Sequence, residues 1–248
     1  MTRRTRVAAA AVLGVLALGG CGSASEPSPP TGIDDLVIPS PSLEAGDFVA
    51  GIDNPWLPYA VGAQWTYQVT EGAERTTLTV TVLPETRTIQ GVTATVVEEV
   101  LRDPASGEVL AQTRAAYAQD DDGNVWALGA ETTTYDDGRP RAEESWEAGR
   151  QGAEAGLAMA AEPRVGDGYG RSYRLGEAAE RSLVVDTDGS ASVPYGDLLD
   201  LVETEDQSAA EPGVLVRRSY ALELGLVRAL TTSGGDTLVE LVSYTPPA

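Results

Sequence analysis

Thr76-Thr77-Leu78-Thr79-Val80-Thr81-Val82 decides the fold of this chain. Leu78, Val80 and Val82 alternate with threonines, the period of a strand with one buried and one wet face. Val92, Ala94, Val96 and Val100 repeat the alternation in the next segment, with Glu98 interrupting the apolar face. Working outward, further strands are expected over 64–70, 108–119, 123–128, 131–135, 171–175, 181–187, 197–203, 214–222, 226–231 and 237–244. Asp103-Pro104-Ala105-Ser106-Gly107, Asp122-Gly123-Asn124, Asp137-Gly138 and Gly234-Gly235-Asp236 lie between them and supply residues that accept positive φ or fix a turn. Spacings of about 8–12 residues favour an antiparallel all-β fold, a meander or half-barrel-like sheet, over βαβ units. Only 143–161 could hold a helix, and Gly149, Gly152 and Gly156 weaken it by nearly 1 kcal/mol each, so a long connection with one short turn is the alternative.

A weak internal repeat runs through this pattern. Val61-Gly62-Ala63-Gln64-Trp65-Thr66-Tyr67 opens one half and Val165-Gly166-Asp167-Gly168-Tyr169 the other. Residues 82–97 parallel 185–202, and Arg114 to Leu128 with Tyr117 parallels Arg217 to Leu230 with Tyr220. The expected organisation is a β domain over 48–248, with similar halves over about 61–130 and 165–232.

The N-terminus carries a different signal. Arg3, Arg4 and Arg6 precede an apolar run from Val7 to Leu18. A cationic start, an apolar stretch of about a dozen residues and small residues after it describe an export signal over 1–20, too short to span a bilayer. Leu18-Gly19-Gly20-Cys21 resembles a bacterial lipobox, and Cys21 is the only cysteine. That resemblance implies diacylation of the Cys21 thiol, cleavage before it, and a protein lipid-anchored to the cell membrane on its extracytoplasmic face. Residues 21–47, with Pro27, Pro29, Pro30, Pro39 and Pro41, read as a Ser/Pro-rich linker.

Composition excludes much chemistry. The formal charge is −21, and all 17 basic residues are arginine. Loss of residues 1–20 removes three arginines and no acids, leaving 14 against 38, a charge of −24. Such a surface repels nucleic acid, so no nucleic-acid partner is expected. Without histidine or lysine there is no Ser-His-Asp system and no Schiff base. No cofactor is called for. A zinc site has almost no ligands, and no disulfide can form within the chain.

Three groups of residues invite a functional reading. Asp120-Asp121-Asp122-Gly123-Asn124 with Glu131 has the spacing of a calcium loop, but Val125 stands where such a loop needs glycine. A hairpin turn is the plainer reading, and no metal site is assigned. Glu98-Glu99, Glu143-Glu144 and Asp136-Asp137 could supply a glycosidase's carboxylates, yet neighbours on a strand face opposite ways. Trp56, Trp65, Trp126 and Trp146 could line a ligand concavity or fill a core, with Trp56 and Trp146 the better ligand candidates.

Several segments resemble an uncharacterised group of secreted bacterial lipoproteins. They are Asp53-Asn54-Pro55-Trp56-Leu57-Pro58, Gly62-x-x-Trp65-x-Tyr67, Tyr117-Ala118-Gln119-Asp120 with Asp122-Gly123-Asn124-Val125-Trp126, Ser145-Trp146-Glu147-Ala148-Gly149 and Pro163-x-Val165-Gly166-Asp167. Tyr220-Ala221-Leu222-Glu223-Leu224-Gly225 departs from the group's Tyr-x-x-Gly-x-Gly pattern. The group carries no activity to transfer. A more distant likeness, at the level of fold alone, is to the half-barrel of lipoprotein carriers.

The expectation is therefore a non-enzymatic domain that binds an apolar or amphiphilic ligand or an envelope partner. A structural or interaction lipoprotein without a pocket is the alternative, and a carboxylate-only hydrolase a remote one. A carrier that docks on the membrane would need a basic patch, for which Arg171, Arg174 and Arg181, then Arg217 and Arg218, are the candidates.

Overall fold

A computed structural model of the chain describes residues 43–174 and 177–247, and of 174 and 177–179 the backbone alone. The signal segment, Cys21 and most of the linker lie outside the described residues. The strands are β1 (Phe48–Val49), β2 (Gln64–Glu71), β3 (Glu74–Ile89), β4 (Val92–Arg102), β5 (Val109–Asp120), β6 (Val125–Asp136), β7 (Arg139–Glu147), β8 (Ala153–Glu154), β9 (Gly156–Met159), β10 (Gly168–Arg174), β11 (Glu177–Val193), β12 (Gly196–Ser208), β13 (Leu215–Ala221), β14 (Gly225–Ser233) and β15 (Thr237–Thr245). All pairings are antiparallel. The all-β expectation is met, with 67% of the chain in strand and no α-helix among the described residues.

The sheet order is β7-β6-β5-β4-β3-β2-β15-β14-β13-β12-β11-β10-β8. Two six-strand meanders, β2–β7 and β10–β15, are thus joined where β2 pairs with β15. On the far side β8 pairs with β10 while β9, one residue on, pairs with the base of β6. This short segment draws the sheet round into a nearly closed barrel. The approach is tight. A Cβ on Gly156 would lie 2.0 Å from the Arg171 carbonyl oxygen, so only glycine fits there.

The helix that 143–161 could have held does not form, and the stretch is not simply a long connection either. Glu143, Glu144 and Trp146 belong to β7, paired with Thr133, Thr132 and Ala130 of β6. Gly149 and Gly152 take positive φ, at 81° and 74°, and turn the chain into β8. The strands expected separately over 123–128 and 131–135 are one strand, β6. Gly129 inside it has no room for a side chain, with the Trp146 carbonyl 2.8 Å from a would-be Cβ.

Successive turns of each meander alternate between two ends. The turns β5–β6 and β13–β14 lie at one end, the base, and a plug made by residues 51–62 closes it. Ile52 and Leu57 of the plug pack with Val125, Ala158, Met159 and Tyr220. Asn54, only 2% exposed, holds the plug in place. Its Nδ2 donates to the Gly123 and Ala160 carbonyls at 2.8 and 3.1 Å, and its Oδ1 accepts from the Trp56 and Leu57 N–H groups. Gln119 Oε1 accepts from the backbone N–H groups of Asp53 and Asn54. The Glu223 N–H donates to the Pro55 carbonyl from the other half. The turns β2–β3, β4–β5, β12–β13 and β14–β15 lie at the opposite end, the mouth.

Candidate functional site: the interior of the barrel

Strand alternation and register define what faces inward. From the first meander these are Trp65 and Tyr67, Leu78 and Val80, Val97, Glu99 and Leu101, then Thr113, Ala115 and Tyr117. From the second they are Tyr169 and Arg171, Glu180, Ser182 and Val184, Thr204 and Asp206, then Arg218 and Tyr220. Trp65, Tyr67, Val80 and Val97 are buried in one apolar cluster. Nearer the mouth, Leu78, Leu101, Ala111, Val69 and Val216 are only partly buried although they share the inward face. The inward residues nearest the base are thus buried, and those nearer the mouth keep some exposure.

A charged cluster occupies the second meander's wall. Asp206 accepts from Arg171 Nη1 at 2.5 Å, from Arg218 Nη1 on the same Oδ2 oxygen, and from Ser182 Oγ at 2.6 Å on Oδ1. The side chains of Arg171, Arg218 and Asp206 are 21%, 16% and 8% exposed. Two guanidiniums thus share one carboxylate. Burial lowers the Arg218 pKa and neighbouring Arg171 adds to that, whereas for Arg171 itself burial is outweighed by Tyr220 and Glu180, which raise it. Thr204, beside Arg218 in register, has a buried hydroxyl with no hydrogen-bond partner.

Glu99 stands on the first meander's wall near the two arginines. Burial raises its pKa, and Arg218 and then Arg171 pull it back. No ion pair or hydrogen bond engages its carboxylate among the described residues. Tyrosines complete the layer. Burial first, then Tyr117 and Glu99, holds the Tyr59 hydroxyl well above its usual range. Tyr67 is raised likewise, by burial and Glu99, and Tyr169 is pushed up to about 12 by burial and Tyr220. At neutral pH these are neutral hydroxyls on an apolar wall. Tyr59 packs against both Trp65 and Tyr117, with ring centroids 5.8 and 5.2 Å apart.

The four tryptophans do not form one lining. Trp65 and Trp126 are 2% and 3% exposed and belong to different clusters. Trp65 Nε1 donates to the Leu224 carbonyl and Trp126 Nε1 to Asp120 Oδ2, each at 2.7 Å. Trp56 lies half-buried in the plug, against two of the apolar clusters. Trp146 is half-buried on β7, on the face shared by Ala130, Ala115 and Val97, and so borders the interior.

The other candidates are resolved by geometry. Asp120 spends both carboxylate oxygens on Asn124 and Trp126, while Glu131 sits on the outer face bound to Arg87 at 3.0 Å. The calcium set is not brought together, and residues 121–124 form the turn of a hairpin with Gly123 at φ 89°. Glu98 and Glu99 face opposite ways, Glu98 accepting from Gln112 Nε2 outside. Among the described side chains the basic patch does not assemble, and that of Arg174 lies outside them. Arg171 is turned inward, Arg181 lies exposed on the other face of the sheet, and Arg217 reaches Glu203 and Glu205 outside. Arg171, Arg218 and Asp206 are the site residues that sequence reasoning missed as a group. The signal for Arg218 was the alternation itself, which puts Arg217 and Arg218 on opposite faces. Arg171 sits at a register shift between Gly170 and Ser172 that sequence alternation does not reveal.

No protein-family model matches this chain, and no curated protein does. Two solved structures are similar to it. One is described as a "putative lipoprotein" from Parabacteroides distasonis ATCC 8503, 11% identical, covering 77% of this chain and 99% of that one, with a TM-score of 0.44. The other is described as a "putative exported protein with YMCC-like fold" from Bacteroides fragilis NCTC 9343, 15% identical, with the same coverage and a TM-score of 0.44. Among the described residues no helix is long and apolar enough to cross a membrane.

Proposed function

We propose that this chain is an exported lipoprotein, tethered through Cys21 to the extracytoplasmic face of the cell membrane, whose β domain binds a small apolar or amphiphilic molecule through the mouth of the barrel. The order of arginines, apolar run and Leu18-Gly19-Gly20-Cys21 supports the export and the tether. The observation that carries the binding reading is the two-sided interior. An apolar wall of Leu78, Leu101 and Val69 faces a charged wall of Arg171, Arg218 and Asp206, and both remain partly accessible above a plugged base. A site with one apolar and one polar side suits an amphiphile. The domain acts by binding and carries no catalytic group in this reading.

Native mass spectrometry of the mature chain from its own host tests the binding. A retained small molecule is expected. Its consistent absence, with no uptake of a fluorescent acyl probe, overturns the reading. Fractionation tests the tether. Cys21→Ser should leave the protein unprocessed or released from the membrane, and a processed membrane protein in that variant would remove the lipobox argument.

A further inference from the structure

The interior contains more hydrogen-bond donors than its own groups accept. A guanidinium offers five N–H donors in a rigid fork that matches a carboxylate or phosphate. Arg171 and Arg218 each place Nη1 on the same oxygen of Asp206 and make no other hydrogen bond among the described residues. Their side chains are 21% and 16% exposed, so donors that Asp206 does not claim stay within reach of solvent. Beside them lies the Thr204 hydroxyl, also without a partner. Above them the inward face carries Val216 on the same strand as Arg218 and Leu78 and Leu101 across the barrel, with Glu180 of β11 also on it.

We propose that Arg171 and Arg218 recognise the acidic headgroup of an anionic amphiphile, a long-chain carboxylate, whose acyl chain runs from that pair along Val216, Leu78 and Leu101 towards the mouth. This rests on the binding reading above and names the class of its ligand. Asp206 fixes the two forks side by side, so the headgroup meets them already oriented. Charge-assisted, two-pronged contacts of this kind are the stronger class of hydrogen bond. Glu180 and Glu99 are the nearby acids. They keep the cluster from being a general anion trap, and the acyl chain is needed as well as the charge. The negative charge of the whole domain slows an anion's approach, so added salt should speed association while the local contacts persist.

The test uses the chain from residue 21 to 248 carrying Cys21→Ser. Isothermal titration below the micelle threshold compares dodecanoate, dodecanol and dodecyltrimethylammonium. Dodecanoate should bind at least tenfold more tightly than dodecanol, and the cation most weakly. Equal affinity for dodecanoate and dodecanol overturns the headgroup assignment and leaves the amphiphile reading standing. Tighter binding of the cation also overturns it. No binding of any of the three overturns both. Arg218→Met should remove the preference for dodecanoate over dodecanol. Should that variant misfold, Arg218→Lys, which keeps the charge but not the fork, should retain only part of the preference. Full retention in a folded Arg218→Met protein refutes the proposal.

Discussion

The two meanders are built to one plan and filled with opposite chemistry. Counting along the registers from Tyr117 and Tyr220 places Val97 with Thr204, Glu99 with Asp206 and Ala115 with Arg218. The same counting pairs Trp65 with Tyr169, Tyr67 with Arg171, Leu78 with Glu180 and Val80 with Ser182. Apolar residues of the first half thus stand where the second half has polar or charged ones. A strand pairs through its backbone, so either set can occupy the same sheet. What differs is how each half deals with water. The first half packs apolar side chains above the base, and the second holds Arg171 and Arg218 on the single carboxylate of Asp206. Glu99 is the first half's counterpart of Asp206, without that residue's partners among the described residues.

That contrast is open to attack by mutation, and the largest effect falls on the packed half. Trp65→Ala should cost about 3–5 kcal/mol in urea unfolding, through a cavity among Tyr59, Val80 and Tyr244 and an orphaned Leu224 carbonyl. Trp146→Ala, on half-buried β7, should cost clearly less. Equal losses would mean that Trp146 is also core and does not border an open interior.

The charged half should fail differently. Asp206→Ala leaves two crowded guanidiniums without their carboxylate, and breaking a buried pair from one side costs about 3 kcal/mol or more. Some solvent reaches both arginines, so the low end is expected. Glu99→Ala, at the matching position, should cost less, because no hydrogen bond or ion pair among the described residues engages its carboxylate and burial opposes its charge. A similar loss at both positions would show that Glu99 belongs to the ion-pair set and would erase the asymmetry between the halves. The plug is common to both halves. Asn54→Ala should cost about 2 kcal/mol, since it leaves the Gly123 and Ala160 carbonyls without their donor.

Fold class was legible because the wet face of β3 is threonine, which makes the period of two plain. The succession of strands in the two halves was legible for the same reason. The helix over 143–161 was misjudged because an edge strand such as β7 is exposed over most of its length and shows no alternation. The interior site was harder. On β4, Val92 to Val97 is buried on both faces apart from Thr93, so the sequence does not say which face is inside. The face with the clearer apolar alternation, Val92, Ala94 and Val96, is the one opposite Glu99. Nor does local sequence reveal that Arg171, Asp206 and Arg218, from three strands, converge. Sheet order brings them together. Asn54 was noticed within a motif, but its role follows only from the carbonyls 69 and 106 residues away that it binds.

The smallest effect is the most selective. Burial raises the Glu99 pKa in the folded protein above its unfolded value, with Arg218 and Arg171 offsetting part of the rise. Between the two values the folded state binds more protons than the unfolded state, so stability falls as pH rises through that window and stays reduced above it. Below the unfolded pKa both states are protonated and Glu99 contributes no pH dependence. Glu99→Gln keeps the shape and removes the titration. It should therefore be slightly more stable than the parent at pH 7, and the difference should vanish on acidification to about pH 4. Parallel stability-versus-pH curves for the two proteins would show that Glu99 titrates as if in water. A Gln variant less stable at pH 7 would show that the arginines outweigh burial and that Glu99 is their second counter-ion. In that case the donors assigned to a ligand headgroup would already be partly claimed, and the preference for dodecanoate should be correspondingly weak in the parent and stronger in Glu99→Gln.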